Sequence, residues 1–229
     1  MAATSAYHRS LETVKVSGTS NGIVRLTLAR PARRNAVNQQ MATDVAEAIS
    51  IASDGGARVG VIDAEGPAFC AGADLGELET AGRALDSIVE SLTRSTFHWT
   101  AAVHGAARGG ALSILAACPR VVATPSATFG LPELARGFFP AGVIGRQEIL
   151  LGSRRAFELA FSAEAIAAEE ALAAGLVTAV IADDELEPWL RSESSRLSAF
   201  DASALREGVE LWNTRAREMS LPASANRLN

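Results

Sequence analysis

The chain has 229 residues, of which 48% are hydrophobic and 21% charged, and its formal net charge is −5. That is a globular composition with length enough for one large domain or two small ones, and its acidic balance argues against a nucleic-acid partner. Cys70 and Cys118 form no CxxC pair, the first ten residues lack the apolar core of a signal peptide, and no run approaches the ~20 apolar residues of a membrane span. A disulfide scaffold and a membrane span are thereby disfavoured, and a soluble cytoplasmic protein is expected.

Residues 12–17 (ETVKVS) and 23–29 (IVRLTLA) alternate apolar with polar as strands do, and SGTSNG between them reads as a hairpin turn. "RPARRNAVN" follows as a loop. Asn38 is placed to cap a helix over 39–53 that ends at Gly55 and Gly56. Residues 58–64 (RVGVIDA) read as a buried strand, and a helix is predicted over 77–95 with Leu78, Leu85, Ile88, Val89 and Leu92 on one face. Residues 101–104 (AAVH) form a short strand, "GAARGG" opens a helix to Cys118, and 120–124 (RVVAT) is another strand. "ATFGLPELARGFFPAGVIG" is read as mostly loop with a short helical turn. Helices are expected near 142–151, 153–161 and 168–174, the last ended by Gly175, then a strand over 176–181, two more helical stretches and a loose tail, "LPASANRLN". The organisation is an α/β core over 1–182 followed by a helical segment over 183–229, with no repeat at a fixed period.

Two turns stand out for how little side chain they carry: "GPAFCAGADL" (66–75) and "HGAARGGALSILAAC" (104–118). Each follows a strand. Small residues serve a tight turn over a core, and they also let a ligand approach the backbone, where a free N–H is a good donor to an oxyanion. The second turn opens a helix, whose first N–H groups and dipole favour negative charge. Neither is a nucleotide motif, because "GAARGG" lacks the GxGxxG spacing and no Lys-Ser/Thr follows it.

"RPARRNAVN", "GPAFCAGADL", "AAVHGAARGGAL", "ATFGLPELARGFFPAGVIGR" and "AEEALAAGLVTAVI" stand in the order found in the crotonase superfamily, and the resemblance covers about residues 12–182. That superfamily includes enoyl-CoA hydratases and isomerases. The resemblance implies an α/β, crotonase-like (ClpP/crotonase) fold of stacked ββα units with a helical C-terminal part. It also implies an acyl-CoA thioester as substrate, with CoA as part of the substrate and no other cofactor or metal, and a homotrimer or hexamer. The backbone N–H groups of Ala73 and Gly110 would hold the thioester oxygen and stabilise an enolate. Ala71, Asp74 and Leu75 would line the bound CoA.

On local pattern alone, Glu133 after Pro132 is an ordinary first-turn glutamate, favoured there by the helix dipole. The resemblance makes it the catalytic glutamate, and its apolar neighbours would raise its pKa into a useful range. Ordinary hydratases carry a second glutamate where this chain has Ser113. One carboxylate suffices to carry a proton from C2 to C4, so the departure leans towards isomerisation. Ser113 is equally read as a small helix residue or as a group that orients water. Arg30, Arg33 and Arg34 are candidates for the CoA phosphates, with Arg30 or Arg34 aimed at phosphate. Gly76 stands where many relatives have a lysine, and "REGVELW" (206–212) comes soon after 182, as if a helical segment were missing. A non-catalytic acyl-CoA-binding protein, thioester hydrolysis and decarboxylation are the alternatives. His98 and His104 have no ligand-spaced partners, and Cys70 reads as a small buried hydrophobe.

Overall fold

The computed structural model describes residues 6–19 and 21–218; the whole of the loose-tail segment, "LPASANRLN", lies outside them. Three strands, β1 (Tyr7–Ser10), β2 (Val14–Gly18) and β3 (Ile23–Leu28), form an antiparallel meander. The alternation in β2 and β3 buries Val14, Val16, Val24, Leu26 and Leu28 on one face. β1 was not anticipated: its four residues are mostly exposed, so it carries no burial pattern to read.

From β3 the chain winds through crossovers. Helix α1 (Gln39–Asp54) leads to β4 (Val59–Ala64), and α2 (Leu78–Arg94) leads to β5 (His98–Val103). β3, β4 and β5 are parallel neighbours, followed by β7 (Arg120–Ala123) and β10 (Ala179–Val180), in the sheet order β1-β2-β3-β4-β5-β7-β10. Asn38 caps α1, its side chain accepting from Met41 N at 3.1 Å. Met41, Val45, Ala48, Ile49 and Ala52 bury one stripe of that helix. In α2 the buried stripe is Ala81, Ala84, Ile88, Val89 and Leu92. Leu78, expected on that face, is 54% exposed: the apolar periodicity outruns the packed surface. The strand expected over 176–181 is confined to β10, because Leu176 and Val177 turn out of the preceding helix before pairing starts.

A second sheet is built from three-residue strands: β6 (Ala106–Arg108), β8 (Thr128–Gly130) and β9 (Ala165–Ala167), in the order β6-β8-β9. All three fell in stretches read as turn, loop or inter-helix link. Strands this short are set by pairing with distant partners, not by their own pattern. Helices α3 (Ala111–Ala116), α4 (Ala141–Leu151), α5 (Ser153–Ser162) and α6 (Ala168–Ala174) complete this part. Helix α7 (Asp183–Ser198) crosses the outer face of the large sheet, where Leu190 packs with Val61, Ala102 and Val122. Arg25 ties it down by pairing with both Asp63 on the sheet and Glu187 on the helix. Helix α8 (Ala202–Glu218) lies on α2, where Asn213 Nδ2 donates to Ser95 O at 2.9 Å. No helix among the described residues is long and apolar enough to cross a membrane.

Candidate active site

β4 and β5 are adjacent and parallel, so the two bare turns that leave their carboxyl ends emerge side by side. Ligands of open α/β sheets sit at that edge of the strands. Backbone bonds then join the turns: Cys70 N donates to Ala106 O at 3.1 Å and Arg108 N to Cys70 O at 2.9 Å. His104 Nε2 bonds Gly66 O at 2.8 Å, which gives that histidine a structural place between the turns. Gly72 (φ +86) is needed where they touch, since a Cβ there would stand 2.7 Å from Arg108 O.

The "RPARRNAVN" loop holds the first turn from the other side. Ala71 N donates to Arg34 O at 2.9 Å, Val37 N to Gly72 O at 2.8 Å and Asp74 N to Val37 O at 2.8 Å. Asn35, fully buried, donates through Nδ2 to Glu65 O and Ala68 O, both at 2.9 Å, and accepts from Arg30 N at 2.8 Å. Among the described residues neither Ala73 N nor Gly110 N donates to a protein acceptor, whereas neighbouring Asp74 N and Gly109 N both do.

Both residues line one cavity of about 520 Å³, together with Ala71, Leu75, Ser113 and Glu133. Those six expected site residues are therefore brought together. Asp74, Arg30 and Arg34 are not on its wall. Arg30 instead bonds Ala36 O at 2.5 Å and pairs with Asp74 at 3.1 Å, a half-buried structural pair beside the turn. Burial works to raise the Asp74 carboxyl, but the Gly76 amide and the Arg30 guanidinium outweigh it and hold it below its ordinary value. Arg33 and Arg34 are exposed on the same loop.

Glu133 is 8% exposed, and its Oε2 is buried without a hydrogen-bond partner among the described residues. Burial pushes its carboxyl above the ordinary value; a backbone hydrogen bond and the Arg136 charge oppose this only in part. Gly109 (φ +56) makes room for it, since a Cβ there would lie 2.5 Å from Glu133 Oε1. Ser113, one turn into α3, is buried on the same wall. Cys70 lies wholly inside, and burial pushes its thiol up to about 12, so it stays protonated. No group of three His, Cys, Asp or Glu among the described residues is placed to hold a metal ion.

Three charged lining residues escaped the sequence reading: Asp86, Arg136 and Arg146. The helical spacing held a signal for two of them. Asp86 shares the face of Gly82 and Leu85 on α2, and Arg146 that of Gly142 and Val143 on α4.

The arrangement can hold an anionic oxygen between two unoccupied amides and present a protonatable carboxyl beside it. The family model for enoyl-CoA hydratase/isomerase matches residues 18–225. The chain is 36% identical over 185 residues to the protein named "Probable enoyl-CoA hydratase 2, mitochondrial" of Arabidopsis thaliana, covering 75% of this chain and only 60% of that protein's length. It is 33% identical over 183 residues to "Probable enoyl-CoA hydratase echA6" of Mycobacterium tuberculosis, covering 78% and 75% of the two chains. Among solved structures, an enoyl-CoA hydratase from Mycobacterium smegmatis superimposes with a TM-score of 0.80 at 27% identity, over 96% of this chain and 85% of the other. This crotonase-fold chain belongs to the enoyl-CoA hydratase/isomerase family.

Proposed function

We propose that the protein shifts the double bond of an enoyl-CoA thioester by proton transfer through one carboxylate. The reading rests on a single observation: the spare amides of Ala73 and Gly110 and the buried carboxyl of Glu133 share one cavity. The thioester oxygen accepts from both amides. Glu133 takes a proton from C2, and the electrons of that C–H bond pass into a dienolate whose charge rests on the held oxygen. The same carboxyl then returns the proton to C4, leaving the double bond between C2 and C3. One preorganised donor of this kind is worth about 2.7–4 kcal/mol in such reactions. Raising the carboxyl's pKa by burial brings it closer to the working pH, as a group that both accepts and returns a proton requires.

The exposed guanidinium groups of Arg33 and Arg34, on the loop that also carries the Ala71 contact, are assigned to the CoA phosphates. Arg30 is assigned to holding Asp74. A homotrimer or hexamer in the cytoplasm is proposed with this reading. The aromatic cluster of Phe139, Phe157 and Phe161, in which Phe161 is 61% exposed, supports a face covered by another copy.

Hydration is the second reading, favoured by Ser113 on the cavity wall and by the names of the relatives. The two are separated by incubating the protein with 2-enoyl-CoA and, separately, with 3-enoyl-CoA, followed by chromatography and mass spectrometry. Conversion of the 3-enoyl compound at unchanged mass supports isomerisation. Addition of one water to the 2-enoyl compound supports hydration. No product in either, with acyl-CoA still bound by calorimetry, turns the protein into a binder without catalysis.

A further inference from the structure

The wall of the main cavity changes character along α2. Gly82 and Leu85 face it first, and Leu85 packs so tightly on Gly110 that a Cβ there would collide with it. Asp86 comes next. Across from it, Arg146 reaches the same wall from α4, beside Gly142 and Val143. A second cavity of about 210 Å³ begins at these same two residues and continues past Val89 and Thr93 towards Arg217 of α8. Asp86 and Arg146 thus line both cavities. The Arg146 residue is only 8% exposed and also donates to Gly142 O at 3.4 Å, while Asp86 is exposed. Burial works against the Arg146 charge and Asp86 supports it.

A hydrocarbon chain running along this wall would strip water from the exposed Asp86 and offer neither group a hydrogen bond. A hydroxyl both donates and accepts, so it can meet a carboxylate and a guanidinium together. A carboxylate would gain from Arg146 but face Asp86, and an ammonium would face Arg146; Glu133 and Arg136 add one charge of each sign to the main cavity, and the second holds the Glu90–Arg94 pair and Arg217, which donates to Thr93 O at 3.2 Å. We propose that Asp86 and Arg146 read the distal carbons of the acyl group and select acyl-CoA thioesters carrying a neutral hydrogen-bonding group there, a hydroxyl above all, over plain chains of the same length. This rests on the acyl-CoA reading of the cavity.

The test uses saturated thioesters, which cannot react: butyryl- and hexanoyl-CoA, their ω-hydroxy counterparts, the dicarboxylic monothioester of matching length, and CoA alone. Calorimetry on the full chain is expected to show at one chain length a preference of about tenfold or more for the hydroxylated compound over its plain partner, the size of one hydrogen bond to a charged group. Arg146→Met and, at the exposed partner, Asp86→Ala each erase most of that preference. Equal or tighter binding of the plain compound, tightest binding of the carboxylated one, or a preference unchanged in both variants overturns the inference and leaves the acyl-CoA reading standing. If no thioester binds more tightly than CoA alone, the acyl-CoA reading itself fails and this inference falls with it.

Discussion

Glu133 and Gly109 meet at the centre of the site: a Cβ on Gly109 would stand 2.5 Å from Glu133 Oε1, and Gly109 holds φ at +56. The carboxyl occupies space that only glycine leaves open. Gly109→Ala forces an alanine into the left-handed region, at about 1–2 kcal/mol, and pushes the carboxyl aside. The side chain can swing, so the fold survives. The expected result is a modest fall in Tm with a kcat loss of about 10²-fold, the penalty for misplacing a reacting group by roughly an ångström. Gly208→Ala on α8, where nothing lies within 4 Å of the added Cβ, serves as control and raises Tm instead. An alanine at 109 that keeps full activity would separate Glu133 from the chemistry.

Glu133→Gln removes the proposed proton carrier with almost no change of shape. Turnover is expected to fall by about 10²–10⁴-fold, the usual worth of a positioned acid–base group, while calorimetry with a saturated acyl-CoA still shows binding. Persistent turnover would place the base elsewhere on the wall.

The same substitution has a signature in stability. Burial raises the folded-state pKa of Glu133 above its unfolded value, so between the two values the folded chain holds the proton more tightly. Stability from this group is therefore present at low pH and is lost as pH rises through the raised value. Glu133→Gln abolishes that loss. Thermal melts across pH 4 to 8 should show the variant gaining Tm over the wild type towards neutral pH and converging with it in acid. Activity moves the opposite way: it climbs as pH passes the raised value, because the base must be ionised to accept a proton.

Arg30 and Arg34 separate support from ligand contact. Arg30→Met strands the half-buried Asp74 and leaves Ala36 O without its donor, so a loss of about 1–3 kcal/mol is expected. Urea unfolding measures it. Arg34→Met, on an exposed side chain, should leave stability unchanged within about 0.5 kcal/mol and raise KM for acyl-CoA, more at low than at high ionic strength. A KM that responds to Arg30 without any change in stability would reverse the two assignments.

Much of this molecule was legible along the chain. Asn38 announced α1, period-two burial announced β2 and β3, and the small-residue runs at 66–75 and 104–118 marked turns that a backbone-seeking ligand can approach. These are local signals, carried by caps, alternation and the absence of side chains within a few residues. β6, β8 and β9 gave no such signal, because three-residue strands exist only through partners about 20 to 40 positions away. The same holds for the commitment of Arg30 to Asp74, 44 positions apart, and for Asp86 and Arg146 lining the same cavities from two helices. Order along the chain determined which elements form and which residues could donate, accept or carry a proton. Only the close packing of distant segments decided which amides were left without a partner and which charges came to share a cavity.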